Sequence, residues 1–147
     1  MITNERQYRI TKREAYAFAK AITALLQQET DATPDDALFW EGQIAAMRSQ
    51  LADLQDEISA YEALKSGGYP RQTLDSIDQL PQALIEARIA AGMTQSDLAR
   101  RLGIHVQQIQ RYEAGNYGSA SLQRITDVAR AIGMVTEIAI TTTPTPH

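Results

Sequence analysis

Between Gly103 and Gly115 the chain reads IHVQQIQRYEA, and its polar residues are of kinds that recognise flat hydrogen-bonding edges. At about 100° per residue, Ile109 and Tyr112 fall on one side of a helix. Val106, Gln107, Gln110 and Arg111 occupy the opposite arc. A side-chain amide pairs with the N6/N7 edge of adenine, a guanidinium with the O6/N7 edge of guanine, and an aliphatic group with a thymine methyl. Taken alone, the same glutamines also suit an ordinary solvated helix surface. Their neighbours carry the distinction.

Holding that face in place requires a second helix and a sharp turn. The stretch TQSDLARRLG, from Thr94 to Gly103, supplies both. Ala99 is small where the following helix must cross, and Gly103 is free to take a positive φ. Leu98, Leu102, Ile104, Ile109 and Tyr112 come at the intervals that fill the wedge between the two helices. This pattern resembles the DNA-binding helix-turn-helix. More closely, Arg88 to Met134 resembles the Xre/Cro family of phage repressors and bacterial regulators. The sequence YEAG ending at Gly115 is similar to that family's close of the motif, and the likeness covers roughly residues 80 to 134.

The resemblance implies a five-helix lambda-repressor-like domain with the motif as its second and third helices. It implies that Val106, Gln107 and Arg111 read bases, with Gln110 among them and Gln108 flanking. His105 stands where the family has a Ser or Thr cap and is a candidate phosphate donor, as is Gln108. Thr94 and Gln95 begin the preceding helix, where backbone donors and the dipole suit a phosphate. Asn116 and Tyr117 follow the reader helix, where the family's loop touches the DNA backbone. Arg88 and Glu113 match the positions of a structural ion pair that fixes the reader helix. The implied partner is double-stranded DNA bearing an inverted repeat, bound by a homodimer.

From Pro81 the sequence carries four helical patterns, closed by Gly92, Gly103, Gly115 and Gly133, each expected in the left-handed conformation. Residues 68–79 read as a linker with a short helix in QTLDSIDQ, broken where Pro81 restricts Leu80. Residues 1–67 read as a coiled-coil-like antiparallel helical hairpin. Thr11 with Glu14 opens the first helix, which runs to Gln28, and the polar link ETDAT follows. Thr33 and Pro34 open the second, with Asp35 and Asp36 in its first turn, and Ser66, Gly67 and Gly68 end it after Lys65. Its seam from Trp40 to Tyr61 keeps a four-three alternation.

On this reading the first helix spans about 27 Å and the second about 48 Å. The excess leaves Leu54, Ile58, Tyr61 and Leu64 for the N-terminal segment, the C-terminal domain, a second copy or a foreign partner to cover. The segment 135–147 opens with VTEIAIT, whose period of two reads as a C-terminal β-strand. Such a strand must pair with Ile2 to Ile10 or with its counterpart across a two-fold axis. Ile138 and Ile140 therefore join the candidate dimer or partner surface. The expected fold is mainly α.

Charge is distributed unevenly over the 147 residues, whose net value is −4. Residues 34–65 hold seven acidic side chains against Arg48 and Lys65, while residues 81–134 hold six arginines against four acids. A polyanion would be repelled by the first region and tolerated by the second. No cysteine is present, and His105 and His147 cannot build a zinc site unaided, so neither metal nor cofactor is expected. There is no Gly-rich phosphate loop, histidine–carboxylate pairing or nucleophile elbow, so no enzyme is expected. The start MITNERQYRITKRE lacks the apolar run of a signal peptide, and no stretch reaches membrane-spanning length; the expected location is cytoplasmic. The acidic added module looks like that of HigA-type antitoxins, which implies autorepression and a basic toxin partner. The alternative is a stand-alone repressor whose hairpin only dimerises.

Overall fold

The computed structural model describes residues 1–29 and 33–146, with the side chains of Glu29 and Asp35 left aside. The expected link at 29–33 thus lies mostly outside the described residues, as do His147 and the side chain of Asp35. Among the described residues the secondary structure is helical throughout: α1 (Glu5–Glu29), α2 (Pro34–Lys65), α3 (Leu80–Ala90), α4 (Gln95–Leu102), α5 (Val106–Ala114) and α6 (Leu122–Ile132). None of these helices is long and apolar enough to cross a membrane.

The first helix starts at Glu5 rather than Thr11. Asn4 caps it, accepting from the Gln7 backbone N–H at 2.9 Å, and the Gln7 side chain accepts from the Thr3 N–H at 2.8 Å. The first bond satisfies a donor that a helix start leaves orphaned, and the second ties the preceding residue back onto the first turn. With 25 residues α1 is about 38 Å long, enough to reach the far end of α2. The two helices run antiparallel. The Tyr8 and Tyr61 rings lie 5.1 Å apart, and Glu5 accepts from the Tyr61 hydroxyl at 3.0 Å and pairs with Lys65 at 3.2 Å. Lys65 and Tyr61 hold the Glu5 carboxyl below its usual range. Burial, then the bond to Glu5, pushes the Tyr61 phenol up to about 12.

Of the four expected covers for this stretch, the chain's own N-terminal segment and C-terminal helices supply the contacts seen. Tyr61 is buried, and Leu54, Ile58 and Leu64 are partly so. The main cluster takes one fully buried residue from each C-terminal helix: Leu84, Leu98, Ile109 and Val128. Ile2 and Tyr61 belong to the same cluster, so the apolar core runs unbroken across residue 67, the expected domain boundary.

Several local expectations need correction. Leu80 is helical (φ −62°, ψ −41°) and opens α3, with Pro81 in the first turn where no N–H is needed. The linker helix contracts to one 3-10 turn, Ile77–Gln79, none of whose residues is buried; Ile77 is largely exposed. The segment matched to a five-helix domain, residues 80 to 134, holds four α-helices, and that turn lies just ahead of it. No strand forms in the C-terminal segment among the described residues. Val135, Ile138 and Ile140 are all more than four-fifths exposed, and an Arg71–Glu137 pair at 2.7 Å touches the tail. The candidate partner Ile2–Ile10 is spent, with Ile2 in the core and residues from Glu5 onward in α1. An extended segment without a neighbour has no ladder to join.

Candidate nucleic-acid interface

Thr94 caps α4 through a reciprocal pair with Asp97. Its hydroxyl accepts from the Asp97 N–H at 3.0 Å, and the Asp97 carboxylate accepts from the Thr94 N–H at 2.9 Å. That backbone bond, with the hydroxyl contact, holds the Asp97 carboxyl below its usual range. The N–H groups of Gln95 and Ser96, one residue on, have no acceptor among the described residues. Gly103 ends α4 at φ +67°, and the Ile104 N–H reaches back to the Ala99 carbonyl at 3.0 Å. An added Cβ at Gly103 would meet nothing within 4 Å, so the left-handed backbone alone calls for glycine here.

His105 then caps α5 without a side-chain bond, leaving that N-terminus uncapped. Ile109 points into the core and Ala99 is buried where the helices cross. Gln107, Gln110 and Arg111 are exposed, and no described residue bonds to their side chains. Two expected members of the face are engaged elsewhere. Val106 is partly buried against the core, and Gln108 donates to the Tyr112 hydroxyl at 2.9 Å. His105, Gln107, Gln108 and Arg111 line a shallow depression at the surface.

Behind this face sits a buried clamp. Arg88 of α3 donates to Glu113 of α5 through Nε at 2.9 Å and Nη2 at 2.6 Å, with both side chains at most 3% exposed. Its Nη1 donates to the Met93 carbonyl at 2.8 Å and Nη2 also to the Thr3 carbonyl at 2.6 Å. Burial raises the Glu113 carboxyl above its usual range, and the Arg88 charge opposes that rise. Gln95 is buried as well. Its amide nitrogen lies 3.4 Å from both Glu113 oxygens, and its oxygen accepts from Asn4 at 3.3 Å. The Gln95 side chain is thus part of the clamp, and only its backbone faces outward.

The turn after α5 departs from the expected glycine cap. Gly115 has φ −96°, whereas Asn116 and Tyr117 take φ +50° and +55°. Asn tolerates this region, but an aromatic residue does so at a cost of about 1–3 kcal/mol. Tyr117 is held by burial and by stacking on Tyr112 at 5.6 Å, which leaves only its backbone for a phosphate. Burial raises its phenol well above the usual range. Asn116 is exposed. Sequence reasoning missed Thr3 and Asn4, although Asn4 and Gln7 already spell a helix-start signature three residues apart.

Residues 84–138 match the helix-turn-helix family model, which spans α4, the Gly103 turn and α5. A protein of Rhodospirillum rubrum described as an "Uncharacterized transcriptional regulator in ATPase CF(0) region" is 36% identical over 64 residues, or 43% of this chain. The chain spans 58% of that relative's length. No solved structure matches.

Proposed function

We propose that this helix-turn-helix protein is a sequence-specific DNA-binding transcriptional regulator whose α5 enters the major groove. One observation carries the reading: Gln107, Gln110 and Arg111 stand exposed and unbonded on a helix clamped from behind by a buried ion pair. Burying two charges is costly, and a merely solvated face would gain nothing from so fixed a support. Amides and a guanidinium match adenine and guanine edges, while the half-covered Val106 reaches a thymine methyl at most from the side. The free N–H groups at the start of α4, the uncapped start of α5, His105 and Asn116 supply phosphate contacts that set the register. The description of the Rhodospirillum relative as a transcriptional regulator supports the same reading.

One reader helix makes few base contacts. Two copies about 34 Å apart on an inverted repeat would double them. The exposed apolar side chains of Ile138 and Ile140 support pairing across a two-fold axis. A second reading, the autorepressing antitoxin, draws on Asp53, Asp56 and Glu57, which lie exposed on α2 and would suit a basic toxin. Co-expression with the small basic product of a neighbouring gene, followed by co-purification, decides between it and a stand-alone repressor.

Selection from random duplexes with the purified protein tests the main reading, with an inverted repeat as the expected outcome. Arg111→Ala should then lose preference at one position per half-site, at about 1–3 kcal/mol, and keep the others. No enriched site at low ionic strength would end the proposal.

A further inference from the structure

We infer that the solvent face of α1 is a phosphate track, on which Arg6, Arg9, Arg13 and Lys20 grip the DNA backbone beyond the segment that α5 reads. The inference rests on the DNA-binding reading above. On a helical wheel these four side chains fall within about 60° of one another, and roughly opposite Thr11, Ala15 and Ile22. The latter three are buried, whereas all four cations are exposed. No ion pair within the described residues takes any of the four.

Such a face works against its own helix. Arg9 and Arg13 are like charges four residues apart, an arrangement that destabilises an isolated helix by a few tenths of a kcal/mol. The chain has a net charge of −4, so acids are plentiful, yet those of α1 near the stripe leave it uncovered: Glu5 pairs with Lys65 at 3.2 Å, and Glu14 falls about 110° from the centre of the stripe. An external polyanion relieves this repulsion, and releases counterions in doing so.

Position and length point to the same duplex that α5 reads. Asn4, which caps α1, bonds to Gln95 at the start of α4, and the Thr3 carbonyl sits on Arg88. The stripe therefore begins beside the free α4 N–H groups assigned to phosphate and continues that surface outward. From Arg6 to Lys20 the helix rises about 21 Å, the length of roughly six phosphate steps at 3.4 Å along the duplex axis. Lys20 lies over the exposed Tyr16 ring at 5.4 Å, which holds its charge at the distal end of the stripe.

The test uses the full chain and two duplexes carrying the selected inverted repeat, one trimmed to its half-sites and one extended by about 10 base pairs on each side. Binding is followed across a salt series for wild type, for Arg9→Gln/Arg13→Gln/Lys20→Gln, and for the charge-retaining control Arg9→Lys/Arg13→Lys. Wild type should show a steeper salt dependence on the long duplex than on the trimmed one. In the neutral variant the long-duplex slope should fall by about 5, since three contacts are lost in each of the two copies and each removes about 0.9. That variant should bind both duplexes equally with base preference intact, and the lysine control should behave as wild type. An unchanged slope with specific binding retained overturns the track and leaves the regulator reading standing. Failure of the wild type to bind either duplex removes both. Charge-dependent binding to phosphatidylserine vesicles with an unaltered DNA slope would give the face to a lipid surface and likewise overturn the proposal.

Discussion

Arg88 joins parts of the molecule that are distant in sequence: its donors reach Glu113, Met93 and Thr3. Arg88→Met should therefore cost about 3–5 kcal/mol in chemical denaturation, because a buried carboxylate is left unpaired. Adding Glu113→Leu should recover part of that loss but not all, since the Met93 and Thr3 carbonyls stay without a donor. A single-variant loss under about 1 kcal/mol would mean the pair is solvated. The Arg–Glu partnership was legible in the sequence because opposite charges stand at two motif positions. The fate of Gln95 and Tyr117 was not. A glutamine at a helix start and a tyrosine in a loop both look outward until Asn4 covers the first and Tyr112 stacks on the second. Neither contact has a local signal.

Several helix ends were readable because they carry their own chemistry. Thr33 with Pro34, Ser66 after Lys65, and Gly103 at φ +67° all mark boundaries where the sequence places them. The strand failed for a different reason. VTEIAIT alternates correctly, but a strand exists only beside another, and the candidate neighbour is absorbed by the core and by α1. The start of α1 also packs into the cluster formed by the C-terminal helices. Ile2 is 3% exposed within the same cluster as Leu84 and Leu98, so Ile2→Ala should destabilise the whole protein by about 2–5 kcal/mol in one cooperative transition. Two separate transitions, with the reader helices melting unchanged, would restore the break at residue 67.

Across the whole molecule, charge is sorted by surface. Within the antiparallel pair most acids lie on α2 and most cations on α1. The sequence shows the imbalance between residues 34–65 and 81–134, but which faces meet solvent emerges only from packing. The same holds for assembly. If the tails pair across a two-fold axis, Ile138→Lys/Ile140→Lys should sediment as a monomer at micromolar concentration. It should also bind a full inverted repeat no better than a single half-site. A variant that still sediments as a dimer would move the interface elsewhere.

The bonds from Thr3 to Arg88 and from Asn4 to Gln95 bridge 85 and 91 residues of chain. During synthesis Thr3 and Asn4 are made well before Arg88 and Gln95, so their docking site follows only about 5–20 s later at ordinary elongation rates. A nascent or prematurely terminated product thus lacks a closed clamp, and competence arrives late and in one step. Closing so long a loop is also entropically slow, so refolding of the isolated protein should lag behind that of short helical bundles with mostly local contacts.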